Sequence, residues 1–188
     1  MASLTAAASP SPDKKAISDH HITLTHRTIV SKRSFGDTKA ALESAIPPLD
    51  TSFVPVLAAG DTADGLALLQ ALPTLNNFIL PPRDVGVLAS VWGVPGKRAV
   101  QYEIGNPYTA SKLVRFNLGV SLYVPIRVAL IEDHDGVAKF VFDRPTSLFG
   151  QFKEPGIKPT AEALDDQLTQ LFLFCGGWPS DWPIAPLP

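Results

Sequence analysis

Cysteine is almost missing: Cys175 is the single one among 188 residues. No internal disulfide can form, and no N-x-[ST] sequon is present either, which together point to a reducing, cytoplasmic setting. No apolar run approaches the roughly 18 residues needed to span a bilayer, so no membrane partner is expected. An excess of one charge is absent too, with 16 Lys+Arg against 18 Asp+Glu and a formal charge of −2. Without a basic cluster there is no electrostatic footprint for phosphate neutralisation, so nucleic acid is not an expected partner. The N-terminal stretch lacks the apolar core of a signal peptide, and the first arginine is Arg27, which gives a transit peptide little support.

Motifs with dedicated chemistry are also missing. No G-x-S-x-G, Walker A loop, G-x-G-x-x-G or H-E-x-x-H occurs. The segment Gly93-Val94-Pro95-Gly96-Lys97 lacks the Ser/Thr and the helix start of a phosphate loop. His20 and His26 would share a strand face, yet no His-x-His or His-x-x-x-His pair lies beside a carboxylate, and His134 falls in a turn. No metal and no cofactor are therefore expected.

What the chain has in quantity is proline, 18 residues, close to twice the average share of about 5%. The prolines cluster and cut the chain into segments of element length. Hydrophobic residues make up 45% and charged ones 18%, enough to bury the core of one domain without staples. Residues 1–18 are small, polar and Pro-bearing and read as a flexible arm. Residues 19–175 read as a single domain with an insert at 49–82, and 176–188 as a Pro/Trp-rich tail.

Within the domain, the alternation over His21–Val30 predicts a strand. Ser34 with Asp37 starts a helix through Phe35, Leu42 and Ile46 that Pro47-Pro48 stops. The insert holds a short helix from Asp61 to Leu72 flanked by loops. Asp84–Trp92 and Arg98–Ile104 suit a hairpin across the Gly93–Lys97 loop. Asn106-Pro107 opens a helix to Phe116. Val120–Glu132 reads as the longest strand, with Leu122, Val124, Ile126, Val128 and Leu130 on its core face. Asp133–Gly136 turns the chain into a partner strand, Val137–Asp143. A Pro- and Gly-rich loop then leads to an amphipathic helix through Leu164, Leu168, Leu171, Phe172 and Cys175, closed by Gly176-Gly177. Cys175 lies on the apolar stripe and reads as an inert core thiol. Hairpin-forming strands with helices at either end predict an α+β domain, an antiparallel sheet covered by helices on one face.

Three blocks carry a resemblance: Ala99-Val100-Gln101-Tyr102-Glu103-Ile104-Gly105-Asn106-Pro107, then Leu122-Tyr123-Val124-Pro125-Ile126-Arg127-Val128, then the run from Phe142-Asp143-Arg144-Pro145-Thr146-Ser147 through Phe152. In this order they closely resemble the domain-of-unknown-function family 302, and the likeness extends over roughly residues 20–175. The resemblance implies a TBP-like fold of helix-grip character, a curved antiparallel sheet gripped by helices, and a homodimer; it implies no reaction. The chain departs from the family at Val85, where many relatives carry His before the Gly that corresponds to Gly86. The tail after Gly177 has no counterpart in the family.

The polar residues of these blocks are the candidates for chemistry. Alternation puts Tyr123 and Arg127 about 13 Å apart at roughly 3.3 Å per residue, on the face opposite the aliphatic row. Arg127 either offers a bidentate fork to a ligand carboxylate or enolate, with Tyr123 adding a hydroxyl, or pairs with Glu103 or Asp143 to fix the sheet. Asp143 acts as a general base if buried, or bonds the backbone of its own turn. Asn106 either contacts a ligand or caps the helix it precedes. The Trp-Pro pairs of the tail lie across the body or a partner subunit, with Trp178 covering core or a ligand. The candidate ligand-binding set is Tyr102, Glu103, Asn106, Tyr123, Arg127, Asp143, Arg144, Ser147 and Trp178, with Asp143, Tyr123 and Arg127 as catalytic candidates. The expected function is binding of a small, partly apolar organic molecule by a homodimer, with cofactor-independent isomerase, cyclase or lyase chemistry left open. The alternative is a non-catalytic structural or protein-interaction module.

Overall fold

The computed structural model describes residues 16–93 and 96–184. Most of the expected N-terminal arm, two residues of the expected hairpin loop and the last four of the tail lie outside the described residues. The architecture is α+β: a six-stranded antiparallel sheet in the order β1-β6-β5-β4-β2, with β3 also paired to β4. The strands are β1 (His26–Val30), β2 (Asn76–Asn77), β3 (Arg83–Asp84), β4 (Ala99–Gly105), β5 (Ile126–Glu132) and β6 (Ala138–Asp143). The helices are α1 (Phe35–Ala45), α2 (Phe53–Ala58), α3 (Thr62–Gln70), α4 (Pro107–Val114), α5 (Pro145–Gly150) and α6 (Lys158–Cys175).

One sheet face carries Ile29, Tyr102, Ile104, Val128, Leu130, Phe140 and Phe142, all buried. Helices α1 and α6 lie against it and bring Leu42, Leu164, Leu168, Leu171 and Phe172. The Phe172 ring stacks on Phe140 at 4.5 Å and meets Phe142 edge-on at 5.1 Å, the offset geometries that aromatic quadrupoles favour. The opposite face keeps His26, Thr28, Val30 and Arg127 exposed, so the period-2 alternation divides core from solvent. The turn from β5 to β6 forms where expected: Asp133 Oδ1 accepts from the amides of Asp135 and Val137 at 3.0 and 2.9 Å. Gly136 takes φ +78° there, a conformation that costs glycine nothing.

Several boundaries differ from the sequence expectations. The first strand begins at His26 rather than His21. Asp84–Trp92 is not a strand; only Arg83–Asp84 pairs with β4, and Gly86–Trp92 is a 3-10 helix. Asp84 Oδ1 accepts from the amides of Gly86 and Val87 at 3.1 and 3.3 Å and turns the chain out of the sheet. The long strand is cut as well: Leu118–Leu122 is a 3-10 helix capped by Asn117, whose side chain accepts from the Gly119 amide. Pro125 has no amide to donate, and β5 starts just after it. Leu122, expected in the core, is consequently 73% exposed.

The insert holds two helices where one was expected, with α2 in a flank read as loop, and it also contains β2. The loop after β6 contains α5, with Pro145 in its first turn, where a missing amide is harmless. The Asn106-initiated helix ends at Val114 rather than Phe116. Ser34 caps α1 as its spacing predicts, its hydroxyl accepting from the Asp37 amide at 3.1 Å. In the described part of the tail, Ser180 donates to the Gln170 carbonyl at 2.6 Å, and Gln170 Oε1 accepts from the Asp181 amide at 3.0 Å.

Candidate functional site

An apolar concavity lies where β4 ends and β5 begins. Gly105 is followed by Asn106, whose Oδ1 accepts from the Thr109 amide at 3.0 Å and so starts α4 with Pro107 in its first turn. The Asn106 Nδ2 donates to the Pro73 carbonyl at 2.7 Å, tying the insert to the sheet. Between these anchors is a cavity of about 330 Å³. Its floor is Ile104 with Val124, Pro125 and Ile126, one wall is Ala110, Leu113 and Val114 of α4, and its roof is Phe53 and Leu57 of α2 with Leu69 of α3. Phe78, Leu164, Asn106, Thr109 and Ser111 also line it. Among the described residues no charged side chain lines this space. The Asn106 amide is committed to the cap and to Pro73, and the Ser111 hydroxyl donates to the Tyr108 carbonyl at 2.7 Å. A cavity with so few free polar atoms favours a neutral, apolar guest.

A second constellation is polar. The Asp165 carboxylate, 4% exposed on α6, accepts from Arg144 Nε at 2.8 Å and also from Arg144 Nη2. Thr146 Oγ1 donates to the same oxygen at 3.0 Å, while Arg27 Nη1 reaches the other at 3.3 Å and also donates to Thr169. The hydrogen bond from Arg144, ahead of the Coulomb attraction, makes Asp165 hold that guanidinium above its ordinary pKa. The cluster ties β1, α5 and α6 together through charge-assisted bonds.

Of the sequence candidates, Asn106 alone lines the apolar cavity. Tyr102 is fully buried and donates to Glu43 Oε1 at 3.1 Å. Burial first, and then the neighbouring Glu43 charge, push its pKa far above the ordinary tyrosine value. Glu103 accepts from Arg83 Nη2 at 2.9 Å, and Asp143 lies 3.1 Å from His26 Nδ1 with its side chain 40% exposed. Neither carboxylate is bonded to Arg127, which stands exposed on the open sheet face opposite Glu103. Tyr123 is not on the strand. It follows the second 3-10 helix, its ring edge-on to Phe152 at 6.1 Å and its hydroxyl 3.5 Å from Gln151.

Arg144 belongs to the Asp165 cluster. Ser147 accepts from the Thr25 amide at 3.0 Å and donates to the Arg144 carbonyl at 2.9 Å. Trp178 donates to the Val30 carbonyl at 2.7 Å beneath Lys32, whose Nζ lies 3.6 Å from the ring centre. Cys175 is buried, and burial pushes its thiol pKa up to about 12, which suppresses the thiolate. Among the described residues no group of three or more His, Cys, Asp or Glu is placed to hold a metal. No helix of the described residues is long and apolar enough to cross a membrane.

Sequence reasoning missed Phe53, Leu57, Phe78 and Leu164 as cavity walls and Asp165 as the hub of the polar cluster. A signal for Asp165 was present: it shares the helical stripe of Ala161, Leu164 and Leu168, where a charge needs a partner. Phe53-Val54-Pro55-Val56-Leu57 was hidden by Pro55, which reads as a helix breaker.

No curated protein sequence matches the chain. A crystal structure of an uncharacterized conserved protein DUF302 from Bacillus stearothermophilus is similar at TM-score 0.57 and 18% identity, covering 80% of this chain and 97% of that one. A likeness at that identity speaks for the fold alone. The family model described as domain of unknown function DUF302 matches residues 66–172, more than half of the chain. With the sheet, its covering helices and the three sequence blocks in place, the chain belongs to the DUF302 family.

Proposed function

We propose that this protein binds a small, neutral, largely apolar organic molecule in the cavity between the ends of β4 and β5, helix α4 and the α2–α3 insert. The observation that carries this reading is the cavity itself: about 330 Å³ with no charged lining residue among the described residues, within the range of small-molecule sites. Proton-transfer chemistry by Tyr123, Arg127 and Asp143 would require them on one ligand. Tyr123 packs on Phe152, Arg127 stands on the open sheet face and Asp143 is bonded to His26. Binding, rather than catalysis by that trio, is therefore the reading carried forward. Native mass spectra of the protein from its own host, compared with the denatured mass, test it. A non-covalent adduct of roughly a few hundred daltons or saturable binding of a neutral apolar fluorophore is expected; the absence of both would overturn it.

One surface favours a second reading, a protein-interaction module that pairs with a copy of itself. Val87, Leu88, Val91 and Trp92 of the first 3-10 helix stand exposed together, Trp92 by 85%, and such patches commonly mark interfaces. Light scattering of the wild type and of Trp92→Glu checks it. A dimer that becomes a monomer in the variant supports the reading, and a wild-type monomer at all concentrations refutes it.

A further inference from the structure

The α2 helix has no buried residue, yet Phe53 and Leu57 form part of the cavity wall. Its seat is a glycine on the next helix. A Cβ on Gly65 would lie 2.3 Å from Leu57 Cδ2 and 2.7 Å from its Cγ, so the depth at which Leu57 sits is set by the missing side chain. Thr109 supplies the other relevant feature. It lines the cavity, is 5% exposed, and its hydroxyl has no hydrogen-bond partner among the described residues. The Asn106 and Ser111 side chains are already bonded within the protein.

Resting on the binding reading above, we infer that the ligand is an unbranched or slim aliphatic molecule with one neutral hydrogen-bonding group. Thr109 holds that group, and Leu57, seated on Gly65, limits the length. Among the described residues a charged headgroup finds no counter-ion in the lining, and burying it unpaired is far more costly than burying a hydroxyl with one partner. Each methylene that fits adds about fourfold in affinity, the equivalent of roughly 0.8 kcal/mol per buried CH₂. The gain stops where the chain meets the Leu57 wall. Leu57→Ala lengthens the available space, and Gly65→Ala shortens it by driving Leu57 into the cavity.

The test is displacement of N-phenyl-1-naphthylamine, a neutral apolar fluorophore, by a series of straight-chain primary alcohols from four to twelve carbons. Wild-type affinity is expected to climb about fourfold per carbon and then level off. Leu57→Ala moves that levelling point to longer chains and Gly65→Ala to shorter ones. Thr109→Val lowers affinity by about fivefold at every length, as expected for one net hydrogen bond, without moving the levelling point. Because Leu57 is an exposed residue of a helix that buries none, Leu57→Ala is expected to fold, and it suffices if Gly65→Ala does not. A levelling point at the same carbon number in wild type and Leu57→Ala overturns the length limit while leaving the binding reading standing. An unaltered alcohol affinity in Thr109→Val overturns the role of its hydroxyl. Failure of every alcohol and of the fluorophore itself to bind overturns both the inference and the binding reading.

Discussion

Asp165→Asn perturbs the cluster that joins β1, α5 and α6. The substitution keeps volume and one acceptor but removes the charge and points an amide hydrogen at a guanidinium. Breaking a buried ion pair from one side costs about 3–5 kcal/mol, because the remaining charge is left without its partner. Here the Asp165 side chain is 4% exposed, but Arg144 and Arg27 keep 35% and 26% of their side-chain surface. Water relieves part of the loss, and about 2–3 kcal/mol is expected. For a chain of this size each kcal/mol lowers Tm by roughly 2–4 °C, so the expected drop is about 4–12 °C. Urea unfolding followed by circular dichroism gives the free energy directly. Arg144→Met and the double variant complete a thermodynamic cycle, whose coupling is expected at about 1.5 kcal/mol or more, since the two side chains share bonded atoms. A loss under about 1 kcal/mol with no coupling would refute the description of Asp165 as the hub, leaving the cluster as a surface feature of small worth.

Other consequences are as concrete. Gly86→Ala places a Cβ 2.4 Å from the Lys97 carbonyl oxygen and 2.7 Å from the Ala99 amide nitrogen, backbone atoms that cannot rotate away, so a loss of about 1–3 kcal/mol is expected in the same unfolding assay. Cys175, its thiol pKa raised to about 12 by burial, is expected to resist Ellman's reagent at pH 8 in the folded protein and to react at once in denaturant; fast native reaction would contradict its burial. The Asp133 carboxyl is lowered to about 2, first by the hydrogen bond from Lys139 and then by the Val137 amide. Its folded pKa lies below the unfolded value of about 3.9, so its stabilising contribution is complete above that value and is lost as pH falls through about 2. Asp133→Asn should therefore flatten stability against pH over that acid window, and an unchanged profile would show that the turn does not depend on the charge.

Local chemistry alone made much of this protein legible. The Ser34 and Asn106 caps and the Asp133–Gly136 turn depend on residues within a few positions of one another, and the apolar stripe of α6 on a local period; each forms where periodicity and capping place it. The α+β class followed from them, and the three sequence blocks were enough to recognise the family. Where sequence reading went astray, a nearby side chain competed with a plausible pattern: Asp84 bending Gly86–Trp92 into a 3-10 helix and Asn117 doing the same at Leu118–Leu122. What only tertiary structure decided was which distant residues meet. Tyr123 and Arg127 look like one face of an ideal strand with Asp143 at the end of its partner, but the strand starts only after Pro125 and leaves Tyr123 outside it. Asp165 joins Arg27 across 138 positions and Arg144 across 21, and the cavity takes its shape because Gly65 lets Leu57 sit against α3 while α4 packs alongside. Caps and turns are written in neighbouring residues, whereas cavities and buried ion clusters arise from the packing of whole elements, whose relative placement no local period encodes.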